Sequence, residues 1–116
     1  MKKVLIIDDL KAIEAVYFEL RKHYEVEATT DTHEIIHRTR RFAPHLVIVN
    51  ADLPDFDAHE FCEIVKDELD IPTLIIVEPN SSTTINIDSC KADGVITKPL
   101  HKEQMLKTIG NILLSS

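Results

Sequence analysis

No window of the 116-residue sequence approaches the roughly 18 consecutive apolar residues that a membrane-spanning helix needs, so no such span is expected. Basic residues are also scarce, and 13 Lys and Arg against 20 Asp and Glu leave a net charge of −7. That balance opposes attraction of the domain as a whole to phosphate backbones, and a direct nucleic-acid partner is not expected. Cysteine is confined to Cys62 and Cys90. Without a CxxC pair they read as reduced thiols, in a chain large enough to hold together without a disulfide. The N-terminal MKKVLIIDD has four apolar residues before two acids, too few for a secretory h-region, and a cytoplasmic location follows. There is no internal repeat, low-complexity segment or linker. The length suits one domain over residues 1–116, standing alone or as the N-terminal part of a longer protein.

What is present is alternation. Short runs rich in β-branched residues recur as KVLIID (Lys3 to Asp8), YEVEAT (Tyr24 to Thr29), HLVIVN (His45 to Asn50), TLIIVE (Thr73 to Glu78) and GVITKP (Gly94 to Pro99). Near-continuous Val, Ile and Leu is the pattern of parallel strands buried on both faces. Between the runs lie candidate helices around Ile13–Arg21, His33–Phe42, Ala58–Asp67, Thr83–Lys91 and Lys102–Leu114. The fourth is polar and β-branched, which predicts a short or mobile helix. The last carries Met105, Leu106, Ile109 and Leu113 along one side. A regular βα alternation predicts an α/β fold, a doubly wound parallel sheet with helices on both faces. Ligands of such sheets bind beyond the carboxyl ends of the strands.

Those ends carry Asp8 and Asp9 on the first run, Asn50 with Asp52 beyond it on the third, Val77 and Glu78 on the fourth, and Lys98 before Pro99 on the fifth. Paired acids with a lysine suit a divalent cation with an anion beside it. An acid pair alone is ordinary loop chemistry, but the five-strand alternation and the Lys-Pro end make the pattern specific. The Asp8-Asp9 pair after VLII, the PHLVIVN-x-x-LP-x-x-D segment, IPTLIIV and ADGVITKP together resemble the receiver domain of response regulators, over essentially the whole chain. The resemblance implies a flavodoxin-like three-layer fold with five parallel strands in order 2-1-3-4-5. It also implies an acid pocket for Mg²⁺ and an output surface on the fourth and fifth helices and the fifth strand. A histidine kinase would donate a phosphoryl group to an aspartate ending the third strand, and the matching position here is Asn50.

An ionised carboxylate attacks phosphorus, whereas an amide has a delocalised nitrogen lone pair and an uncharged oxygen, so Asn50 is not expected to be phosphorylated. The exchange removes one negative charge and weakens any Mg²⁺ site, so no cofactor is required and Mg²⁺ binding is expected to be weak at most. The position of the family's phosphoryl-binding hydroxyl matches Val77, which has no donor, and that of its switching aromatic ring matches Val95. With Asp8, Asp9 and Lys98 kept, the chain resembles a pseudo-receiver. It is expected to be a non-enzymatic module working by contact with a protein partner, a histidine-kinase-like protein or a fused output domain, as a monomer or weak dimer. In the absence of phosphate Lys98 would pair with a carboxylate of the pocket. The alternative is a receiver phosphorylated at Asp52 with Mg²⁺ held by Asp8 and Asp9, disfavoured because the loop displaces that oxygen from in-line attack.

Other residues read as structural. Asp57 suits a helix N-cap ahead of Ala58, and Cys62 falls on an apolar face with Phe61 and Val65. HRTRRF, His37 to Phe42, places cations at a helix end where they complement the dipole. HEIIH, His33 to His37, matches a zinc-peptidase motif in letters. Helical spacing sets Ile35, Ile36, Thr39 and Phe42 on one face and both histidines on the opposite, solvated side. A catalytic zinc would also need a third ligand and a sheltered cleft.

Overall fold

The computed structural model describes residues 1–81 and 91–115. Five strands, β1 (Lys3–Ile7), β2 (Glu25–Thr29), β3 (Leu46–Asn50), β4 (Thr73–Val77) and β5 (Gly94–Thr97), form one parallel sheet in the order β2-β1-β3-β4-β5. Among the described residues four helices accompany them: α1 (Leu10–Leu20), α2 (Ile35–Phe42), α3 (Ala58–Asp67) and α4 (Lys102–Ser115). The helix expected over 83–91 lies outside the described residues, apart from Lys91. The doubly wound sheet and its 2-1-3-4-5 order match the expectation.

Alternation along the strands splits the apolar residues between two cores. Val4, Ile6, Leu46, Ile48, Leu74 and Ile76 face one way and meet Ile13, Val16 and Leu20 of α1 and Met105, Ile109 and Ile112 of α4. Leu5, Ile7, Val47, Val49 and Ile75 face the other way, against Ile35 of α2 and Ala58, Phe61, Cys62 and Val65 of α3. Full burial of each such side chain contributes about 2 kcal/mol, which explains why β3, buried along its whole length, carries no polar residue before Asn50 at its carboxyl end. On α4 Ile112 is buried, while Leu106 and Leu113 pack at the margin. The expected apolar stripe is thus rotated slightly, since Ile112 completes the i, i+3 spacing from Ile109.

Caps set the helix boundaries. Asp9 Oδ1 accepts the Ala12 N–H at 2.8 Å and starts α1 at Leu10, three residues ahead of the apolar periodicity. Asp57 Oδ1 accepts the Glu60 N–H at 3.0 Å and starts α3 at Ala58, as anticipated. The expected start of α2 at His33 is corrected to Ile35. Asp31 Oδ1 accepts the His33 N–H at 2.8 Å in a local turn, and Glu34 takes a left-handed conformation (φ 54°), so His33 stands outside the helix.

Candidate functional site

Register brings the first two functional residues together. Ile7 of β1 is level with Val49 of β3, so the next residues, Asp8 and Asn50, emerge side by side at the carboxyl edge of the sheet. Asp8 is fully buried and Asn50 is 2% exposed. Asn50 Nδ2 donates to Asp8 Oδ1 at 2.8 Å and to Glu78 Oε1 at 3.2 Å, while Asn50 Oδ1 accepts the Asp52 N–H at 2.7 Å. Both ends of the amide are therefore engaged. Asp8 Oδ1 also accepts the Asp9 N–H at 2.7 Å, whereas Asp8 Oδ2 is buried with no hydrogen-bond partner among the described residues.

Lys98, one residue past β5, reaches across this edge. Its Nζ lies 3.0 Å from Asp8 Oδ1, 2.9 Å from Asp9 Oδ2 and 2.9 Å from Glu78 Oε1, with the lysine side chain 12% exposed. Burial pulls the ammonium down, but its bonds to Asp9, Glu78 and Asp8 outweigh this and hold its pKa above the ordinary lysine value. The bond from Lys98, helped by the Ala12 N–H, holds Asp9 below the ordinary carboxylate value. Asp9 thus caps a helix with one oxygen and binds the lysine with the other. One ammonium faces three carboxylates, and the Asn50 amide bridges two of these with N–H donors.

The structure brings Asp8, Asp9, Asn50 and Lys98 together as a group and sets Asp52 beside them with its carboxylate turned away. Asp52 Oδ2 accepts the Glu78 N–H at 2.8 Å and Oδ1 accepts the Ser81 hydroxyl, tying the β3 and β4 loops together. Val77 is partly buried against the α2–α3 core and offers no donor. Val95 stands on the edge strand β5, three residues before Lys98, at 37% exposure. His33 and His37 are both exposed, and with His33 outside α2 they do not share the one-turn spacing that the motif requires. Sequence reasoning placed Glu78 at a strand end without giving it a site role. The available signal was its place as the first residue beyond β4, next to the Val77 position.

The donor set in this arrangement is a poor match for Mg²⁺. The Lys98 ammonium already stands on the acids, Asn50 turns N–H groups rather than oxygen towards them, and the Asp52 carboxylate is engaged elsewhere. Among the described residues no group of three or more His, Cys, Asp or Glu is placed to hold a metal ion.

A five-stranded 2-1-3-4-5 sheet with an acid pair, a strand-end amide and a lysine at its carboxyl edge defines a receiver-type α/β domain. The family model for the response regulator receiver domain matches residues 4–110. The chain belongs to that family, whose setting is two-component signalling. Among curated relatives, the sensory transduction protein BceR of Halalkalibacterium halodurans is 24% identical over 119 residues, covering 97% of this chain and 50% of the relative. The probable transcriptional regulator ycf27 of Porphyridium aerugineum is 27% identical over 116 residues, covering 97% and 48%. The chain therefore spans about half the length of these relatives. Among solved structures, the N-terminal domain of the nisin resistance regulator NsrR superposes with a TM-score of 0.85 at 21% identity, over 97% of this chain and 98% of that one. That likeness speaks for the fold. No helix among the described residues is long and apolar enough to cross a membrane.

Proposed function

We propose that this chain is a receiver domain that signals through protein contact without phosphorylation at the end of β3. The observation that carries the reading is the state of Asn50, whose amide makes three hydrogen bonds, two to carboxylates and one from a backbone N–H. An amide is no nucleophile towards phosphorus, and an aspartate in its place would set a third carboxylate against Asp8 and Glu78. Val77 supports the same reading, because it supplies no hydroxyl for a phosphoryl oxygen.

Lys98, which would otherwise meet an incoming phosphoryl group, is engaged by Asp8, Asp9 and Glu78. The pocket then holds its loops in one arrangement without modification. The partner is a protein, a kinase-like signalling protein or an output domain joined to this one. The name of ycf27 as a transcriptional regulator favours the second. Any nucleic-acid contact then belongs to that output domain, since a domain of net charge −7 is repelled by phosphate backbones. Residues 1–116 form one receiver-like domain, cytoplasmic and monomeric or weakly dimeric.

The test is intact-mass measurement after incubation with acetyl phosphate and Mg²⁺, with a receiver of ordinary chemistry as positive control. The expected outcome is an unchanged mass. A stoichiometric gain of one phosphoryl group would overturn the reading, and mapping it to Asp52 would install the alternative acceptor in its place.

A further inference from the structure

Glu78 differs from the other two acids of the cluster. Asp8 is fully buried, and Asp9 is held at both oxygens by the start of α1 and by Lys98. The Glu78 backbone is anchored by its N–H to Asp52, but its side chain remains 39% exposed and can turn into solvent. In the structure it turns inward, and two donors from different strand ends converge on one of its oxygens. Lys98 Nζ comes from beyond β5 and Asn50 Nδ2 from the end of β3, at 2.9 and 3.2 Å from Oε1. An ammonium and an N–H aimed at a single oxygen constitute an anion site.

We propose that Lys98 and Asn50 form an anion site whose resident occupant is the tethered Glu78 carboxylate, for which a small external oxyanion can substitute. The inference rests on the reading that Asn50 is not itself phosphorylated and deepens it, because Glu78 then does by tether what a transferred group would do by covalent attachment. Charge supports the assignment. The site accepts one negative charge at this place already, so a single oxyanion replacing the side chain restores the same balance beside Asp8 and Asp9. Access supports it too. A surface groove of about 390 Å³, lined by Asp9, Lys11, Ala12, Glu78, Lys98 and Leu100 among others, opens onto the lysine. A tethered group is present at an effective concentration of order millimolar or above, so the native chain should bind a free anion at least ~10-fold more weakly than a chain lacking the tether.

The experiment compares the native chain with Glu78→Ala by amide NMR, following Asp9, the Asn50 side-chain NH₂ and Lys98. Acetate and inorganic phosphate are titrated separately, against chloride at matched ionic strength. The expected result is a saturable shift in Glu78→Ala with one or both anions, at concentrations that leave the native chain unmoved; acetate alone would identify a carboxylate site, and phosphate a phosphate site. Equal responses in both proteins would mark an adventitious ion and overturn the proposal, as would a folded variant that answers neither anion. Should Glu78→Ala not fold, Glu78→Ser likewise vacates the place between Lys98 and Asn50. Its melting temperature is then expected to rise on adding acetate or phosphate, and a melting temperature indifferent to both counts against the site. Phosphorylation of the native chain would refute the underlying reading, whereas silent titrations with an unmodified native mass refute only the role of Glu78.

Discussion

Asn50 is chemically matched to its neighbours, because its two N–H groups point at carboxylates that would repel an acid. Asn50→Asp exchanges two donated bonds for a like charge at a site 2% exposed. A loss of about 2 kcal/mol at neutral pH is expected, read as a lower urea midpoint at unchanged slope. A midpoint at or above that of the native chain would count against this account of the pocket. Among the described residues Lys98 is the one ammonium against three acids in the cluster, so Lys98→Met leaves Asp8 buried without its cation and should cost about 3 kcal/mol near neutrality. The pH dependence follows from the two shifts. Asp9 is lowered in the folded state, so its contribution is present above the ordinary value of 3.8 and is lost as pH falls through the lower folded value. Lys98 is raised, so its contribution is present below 10.5 and is lost as pH rises through the higher folded value. The contribution of this pair to stability should therefore be level between these limits. In Lys98→Met the part of the alkaline decline due to Lys98 should be lost, and the acid decline should become shallower.

At the scale of elements, α2 is shorter than its sequence pattern, and both of its ends carry left-handed backbone. Glu34 at its start and Ala43 after its end both adopt left-handed backbone (φ 54° and 52°), a conformation that disfavours a side chain. Ala43 occupies the place after a helix where glycine is preferred, with its N–H bonded to the Thr39 carbonyl. Ala43→Gly keeps that bond and removes the Cβ penalty. A gain of about 1 kcal/mol is expected in urea unfolding, with function untouched. The boundary at Glu34 was not legible, because HEIIH continues the apolar periodicity of α2 without interruption. Only the Asp31 turn and the backbone at Glu34 break it. By contrast α3 was readable at both ends, since Asp57 is a capping residue directly ahead of the periodic stretch.

At the scale of the molecule, the burial of β1, β3 and β4 on both faces follows from their unbroken Val, Ile and Leu, and the sheet order agrees with the resemblance. An α/β sheet of this kind collects strand ends along one edge, so the positions of Asp8, Asp9, Asn50 and Lys98 at the ends of their strands already imply that they meet. The sequence by itself determined the fold class, the meeting place of these residues and the chemistry that Asn50 lacks, since periodicity and side-chain identity are local properties. The tertiary structure alone decided that Glu78 turns inward to Lys98, that Asp9 serves both helix and lysine, and that Asp52 faces the β4 loop. These are choices among rotamers, and apart from the local Ala12 cap they are settled by donors that lie 20 to 89 residues away along the chain and only folding brings within hydrogen-bond reach.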